Sequence, residues 1–198
     1  MSKTLEFGCR CREVAGEIAI AEPAAIRCVC YCRDCQAQAR LFGVEDSFMG
    51  QDGGIEIVQV AAGNARITRG REHIGAIKLI PAKRGVIRFY AGCCDTPLFS
   101  TPPSENWPVL GFPVAGIDAD PATRERVFGP IEFVPFRSGQ TGKGTPGKGL
   151  FRHMAAILRF MRRAKQLGRM DNPVWENGRP IAEPRLLTEE ERRKAYPT

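Results

Sequence analysis

The sequence predicts a mainly β domain with a helical C-terminal extension. Seven short runs rich in Ile, Val and Phe occur before residue 137, separated by Gly and Pro. Beyond that point the composition turns Gly-rich and then takes up the 3.6-residue period of an amphipathic helix. A third feature, the gathering of eight cysteines into three short segments, marks where the chemistry lies.

In chain order the strand-like runs are EIAI (17–20), AIRCVCY (25–31), GGIEIVQV (53–60), HIGAIKLI (73–80), GVIRFYAG (85–92), PVLGFPVA (108–115) and PIEFVPF (130–136). Their β-branched and aromatic residues suit a pleated, half-buried surface. Turn signals such as AGNA (62–65) and AKRG (82–85) follow several of them. After the second run, DCQAQARLFG (34–43) contains good helix formers and ends at Gly43, so a helical turn or two is expected there.

RSGQTGKGTPGKG (137–149) has the composition of a flexible linker. The expected organisation is therefore a β domain over 1–137, a linker over 138–149 and a basic helical extension over 150–198. In the extension, GLFRHMAAILRFMRRAKQLG (149–168) sets Leu150, Met154, Ile157, Leu158 and Met161 on one stripe, the expected buried face. DNPVWENGRPIAEP (171–184) reads as irregular and extended. Thr188 with Glu191 three residues later fits a capping box that opens a last short helix. There is no internal repeat.

A chain of 198 residues accommodates one full domain with an extension. Its 43% hydrophobic and 26% charged content is ordinary for soluble globular proteins. No run approaches the roughly 18 apolar residues of a membrane span. The opening MSKTLEFGCRC lacks the apolar core of a secretory signal, so a reducing cytoplasm is the expected setting, where stable disulfides are uncommon. Residues 142–198 hold 13 of the 29 Lys and Arg and 6 of the 22 Asp and Glu, which leaves 16 of each sign before them. The whole net charge of +7 thus belongs to the extension, and so does any attraction to an acidic surface.

Four cysteines, Cys28, Cys30, Cys32 and Cys35, crowd into CVCYCRDC, with Cys9 and Cys11 in GCRC and Cys93 and Cys94 in AGCCDTP. Three readings compete for the central cluster: a metal site, a set of disulfides, or a buried strand that uses Cys as a small apolar residue. The expected compartment argues against disulfides, and C-x-C-x-x-C with C-x-C repeated upstream exceeds what packing needs. Zinc takes four tetrahedral ligands, and cysteines one or two residues apart reach a single ion where the chain turns around it. Cys30, Cys32 and Cys35 have that spacing. Cys28 shares a face with Cys30 and Cys32 if the segment is extended, so it reads as a fourth ligand or as a core thiol behind the site.

These motifs resemble the superfamily of the glutathione-dependent formaldehyde-activating enzyme and centromere protein V. Its pattern is G-C-x-C, then C-x-C-x-x-C, then a distal C-x-x-C-G-T-P, answered here by GCRC, CYCRDC and AGCCDTP. The likeness covers residues 5–100 and a strand-rich remainder to 137, and CYCRDCQA and FYAGCCDTP look like an uncharacterised branch. The resemblance implies a zinc-stapled, tent-like (Mss4-like) arrangement of antiparallel sheets with one or two Zn2+ per chain. It implies that Cys9, Cys11 and Cys94, with Cys93, hold a structural ion. It also implies that Cys30, Cys32 and Cys35 form a catalytic zinc site with an open position. A closed four-ligand site is inert, whereas an open one takes a substrate thiolate. The implied activity is that of a carbon–sulfur lyase, written in reverse as addition of formaldehyde to glutathione or another small thiol.

The distal motif departs from the pattern. Aligned on C-G-T-P, Cys94 takes the second cysteine's place, Ala91 the first's, and Asp95 stands where the family has a Gly suited to positive φ. The missing thiol returns as Cys93, and adjacent residues share one ion only through a sharp bend. A competing expectation is non-catalytic: both metal sites are structural in an interaction module, which a ligating Cys28 would favour by filling the open position. A third is thiol redox sensing, with disulfide formation and metal release.

Other motifs carry less. GKGTPGKG (142–149) approximates a phosphate-binding loop but has Gly149 where Ser or Thr should hold magnesium, and its context is not a parallel sheet. His73 and His153 lack metal-ligand spacing to the cysteines and read as surface or packing residues. Arg33 and Asp34 read as exposed turn residues within the cysteine loop, with tuning of the thiolates as their functional alternative, shared by Gln36. For the helix over 150–168, packing on the β domain is the default, ahead of peripheral contact with an anionic membrane or a partner. Too few aromatics interleave with its cations for nucleic acid to be expected.

Overall fold

Alternating burial along the strands builds two antiparallel sheets around an aromatic core. The computed structural model describes residues 4–81 and 85–197. Its first strands are β1 Thr4–Gly8, β2 Ala15–Ala19, β3 Ile26–Cys30, β4 Ile55–Ala61 and β5 Ala65–Arg69. They are followed by β6 Ile74–Lys78, β7 Ile87–Ala91, β8 Thr96–Thr101, β9 Val109–Pro113 and β10 Ile117–Asp118. The C-terminal part adds the two-residue strands β11 Trp175–Glu176, β12 Arg179–Pro180 and β13 Arg185–Leu186. The helices are α1 Arg33–Phe42, α2 Glu45–Phe48, α3 Pro121–Phe128, α4 Leu150–Gln166 and α5 Glu189–Ala195.

One sheet has the order β10-β1-β2-β5 and the other β13-β6-β7-β8-β9-β4-β3, while β11 and β12 pair alone. Neighbouring strands are antiparallel except β13, which adds to β6 in parallel. Between the two sheets lie Phe7, Val14, Ile18, Val58, Phe89, Phe99, Leu110 and Phe112, all buried. Phe7 meets Phe112 with ring centroids 4.8 Å apart and Phe99 edge-on at 6.0 Å. Such tilted and edge contacts suit the ring quadrupoles.

The mainly β architecture agrees with the expectation from the sequence. Six of the seven runs are strands, β2, β3, β4, β6, β7 and β9 in turn, and AGNA is a tight 3-10 turn. PIEFVPF differs: Phe133 makes only single bridges, to Cys28 and Lys148, and the run is otherwise irregular. Residues 82–84 of the AKRG turn signal lie outside the described residues. The helix expected after the cysteine cluster is α1, closed by Gly43 at φ 62°, a left-handed position that glycine adopts without a Cβ penalty. The capping box at Thr188 and Glu191 is present in both directions.

Two corrections concern the C-terminal part. The buried residues of α4 are His153, Ile157, Phe160 and Ala164, and they pack on Ile26, Cys28, Ala61, Val109 and Phe133. Met154 and Leu158, expected on the buried stripe, are exposed. The physical reason is that the inward face carries Phe160 and Ala164, which pack in the apolar layer and lie off the expected stripe, while His153 on the same face finds a partner in Gln59 Oε1 at 2.9 Å. The Gly-rich stretch is not a free tether either. Thr141 N–H donates to Asp52 O at 2.9 Å, Thr145 N–H to the Tyr31 hydroxyl at 2.9 Å, and Val134 N–H to Lys148 O at 2.7 Å. Backbone bonds to partners distant in sequence hold it, and composition does not encode those.

Candidate metal centre

Two turns bring the first group of cysteines together. Cys9 follows β1 and opens a turn, where Cys9 N–H donates to Val14 O at 3.0 Å and Arg12 takes φ 64°. Cys93 and Cys94 lie between β7 and β8. There the N–H groups of Cys94 and Asp95 both donate to Ala91 O, at 3.2 and 2.8 Å, and Asp95 takes φ 55°. This is the sharp bend that adjacent cysteines need. The sulfurs of Cys9, Cys11, Cys93 and Cys94 all lie within 4.8 Å of one another. Individual separations are 3.5 Å for Cys9–Cys11, 3.3 Å for Cys11–Cys93 and 3.9 Å for both Cys9–Cys93 and Cys93–Cys94.

The second group forms where β3 runs into α1. Cys30 is the last residue of β3, Cys32 is the N-cap of α1, and Cys35 sits one turn in. Their sulfurs also lie within 4.8 Å of one another, with Cys30 and Cys35 at 3.6 Å. Cys32 Sγ accepts from Cys35 N–H at 3.3 Å, so the cluster caps the positive end of the helix. Cys28 is not part of this group. It faces Ile157 and Phe160 of α4 within an apolar layer, and burial pushes its thiol well above the ordinary range.

Sulfurs around a tetrahedral zinc ion at about 2.3 Å stand about 3.8 Å apart. Both groups come close to that spacing, so the donor sets fit a soft divalent metal, four sulfurs in one and three in the other. All eight cysteines are free thiols. In each group one thiol is held lower than its ordinary range. Burial raises Cys94, but hydrogen bonds from Thr96 and from Cys11 and Cys9 outweigh it and bring the thiol down to about 6. Hydrogen bonds from Cys30 and Cys32, aided by Arg88, hold Cys35 well below the usual thiol range against its burial. Cys30 is raised in turn by its bonds to Cys32 and Cys35 and by burial.

Around the three-cysteine group the structure adds residues that sequence reasoning missed. Arg88 on β7 is buried and approaches Cys35 Sγ through both terminal nitrogens, at 3.8 and 3.9 Å. Gln38 Oε1 accepts from Arg88 at 2.8 Å and fixes its plane. No sequence signal marks either one, because an arginine in a strand ordinarily reads as a solvent-facing residue. A cavity of about 20 Å3 touches Cys35, Gln38 and Arg88, room for one water.

The remaining candidates fall into structural places. Tyr196 of the C-terminal tail donates to Asp34 Oδ1 at 2.6 Å and lies under the Arg33 guanidinium, so α5 is fastened over α1. Gln36 donates to the carbonyls of Gly53 and Gly139, at 3.0 and 2.8 Å, and thereby pins the Gly-rich stretch. His73 and His153 lie outside both cysteine groups. Among the described residues no helix is long and apolar enough to cross a membrane.

No curated protein matches the chain. Among solved structures, the crystal structure of a Rhodobacter sphaeroides protein matches at 15% identity and a TM-score of 0.42, covering 60% of this chain and 93% of that one. A family model covers residues 1–185, nearly the whole chain, and its description is a family of unknown function, DUF6151. The chain belongs to that family.

Proposed function

We propose that this is a zinc protein with a closed structural site at Cys9, Cys11, Cys93 and Cys94 and an open, substrate-binding site at Cys30, Cys32 and Cys35. The observation that carries the reading is the difference between the two groups: four mutually close sulfurs in one, three in the other, with Cys28 outside it. A four-thiolate set saturates a tetrahedral ion, and a three-thiolate set leaves one position for a ligand from solution. When bound, zinc at that position supplies Lewis acidity that favours the thiolate form of an incoming thiol. The chain's own residues hold the sulfurs at the helix N-terminus, and Arg88 and Gln38 fix Cys35.

The chemistry proposed is addition of a small carbonyl such as formaldehyde to a small thiol such as glutathione, the reverse of a carbon–sulfur lyase, in a reducing cytoplasm. The three cysteine motifs and their resemblance to formaldehyde-activating enzymes support it, and with it we propose a zinc-stapled, tent-like arrangement of the two sheets. The test is exchange NMR on protein mixed with glutathione and formaldehyde. Acceleration of adduct exchange above the spontaneous rate, lost in C32S, is the expected result. No acceleration with any of several thiols contradicts the catalytic reading.

One observation favours a second reading, a non-catalytic interaction module with two structural sites. Cys30 and Cys35 are each only 7% exposed, and the cavity beside Cys35 holds no more than a water. On that reading the fourth position is filled by solvent and no thiol binds.

A further inference from the structure

The described residues include two buried arginines. Arg27 is met by Glu56 at 2.6 Å and Glu125 at 2.5 Å. Arg88 forms no ion pair with a carboxylate among the described residues. Its contacts are Gln38 Oε1 at 2.8 Å and Cys35 Sγ at 3.8 and 3.9 Å. A charge buried without a counter-charge is strongly destabilising, so a retained buried guanidinium points to an anion beside it. The sulfur of Cys35 is placed to be that anion.

Gln38 sharpens the argument. Its amide oxygen orients the guanidinium as a carboxylate would, yet it brings no charge. The positive charge of Arg88 therefore acts mainly on Cys35 and Cys32, with Asp34 of α1 a weaker neighbour. Three thiolates around a divalent ion carry a single net negative charge, which one guanidinium cancels. Without that cancellation a further anion entering the site meets like charge in a low-dielectric interior. With it, the anion enters a neutral centre.

Resting on the open-site reading above, we propose that Arg88 is a specificity-determining residue, acting through Cys35, that lets the open position take an anionic ligand, a thiolate, alongside or ahead of neutral ones. The cavity that Arg88 shares with Cys35 and Gln38 has room for a water only, so the guanidinium acts on the ligand through the charge of Cys35 and not by touching it. Lysine at the same position keeps the charge but not the two-pronged approach to sulfur, while methionine keeps the apolar stem and removes the charge.

The test uses the full chain loaded with Co2+, whose visible absorption reports the ligands directly. 2-Mercaptoethanol, which gives its proton to solvent on binding, and neutral imidazole are titrated separately at one pH. In R88M, thiol affinity falls about tenfold or more, equivalent to about 1.4 kcal/mol, while imidazole affinity stays within about twofold. R88K recovers most of the thiol affinity. Equal loss for both ligands, or loss for neither, overturns the role of Arg88. If R88M fails to load cobalt, Q38L carries the test, since it keeps the charge and frees its anchor. Weaker thiol binding with unchanged imidazole binding is then expected, and unchanged thiol binding overturns the proposal. Wild-type protein that loads both sites and binds no thiol overturns the open-site reading itself.

Discussion

Cys93 and Cys94 are neighbours in the chain, yet their sulfurs lie 3.9 Å apart inside one four-sulfur cluster. The bend that permits this is the turn in which two successive N–H groups share Ala91 O. The pair therefore presents two sulfurs to one cluster, where C-x-x-C spacing would spread them over a longer turn. C93S and C94S should each reduce the metal retained after mild chelation by one ion per chain, and C28S should retain both. Elemental analysis of the dialysed variants checks this.

Asp95 holds φ 55° at the end of the same turn. A left-handed backbone costs a residue with a Cβ about 1–2 kcal/mol, less for Asp than for a β-branched side chain. D95G is expected to leave stability unchanged or raise it, and D95V to lower it by about 1–2 kcal/mol. Urea denaturation of the metal-loaded chains measures both.

How much of this was legible in the sequence depends on what each element relies on. β3, β4, β6, β7 and β9 are dense in β-branched and aromatic residues and could be read directly. β1, β5 and β8 were missed because TLEFG, ARITR and TPLFST mix polar residues, a glycine or a proline into short segments, and pairing with neighbours makes them strands. α3 was missed although Asp120 caps it and Pro121 opens it, since PATRERVF has almost no apolar stripe. The three-cysteine group was legible from spacing alone, whereas Cys9 and Cys11 were joined to Cys93 and Cys94 only through the family resemblance. Arg88 was not legible, because its meaning lies in the approach of β7 to α1.

Helix α4 gives a packing prediction. Phe160 is buried against Ile26 and Phe133, whereas Phe151 is 90% exposed. F160A should cost about 3–5 kcal/mol through lost contacts and a residual cavity. F151A should stay within about 0.5 kcal/mol. Thermal or urea unfolding of the two variants separates the face seen in the structure from the Met154 and Leu158 stripe.

His153 makes stability depend on pH. Burial lowers its pKa from 6.5 to about 4, so the unfolded chain binds the proton more readily than the folded one. The contribution is fully present above pH 6.5 and is lost as the pH falls toward 4, a total of about 3 kcal/mol. H153Q, which keeps a hydrogen bond to Gln59 and cannot titrate, should flatten the stability profile between those values. A profile parallel to that of the wild type would contradict the assignment.

The central claim is that two cysteine groups each hold one metal ion. Its most direct test is zinc per chain in protein purified under reducing conditions, by elemental analysis against amino-acid quantitation. The account predicts two ions per chain. One ion would mean that the bend at Cys93 and Cys94 does not close a site or that the three-cysteine group holds none, and no ion would leave both clusters as buried or redox-active thiols.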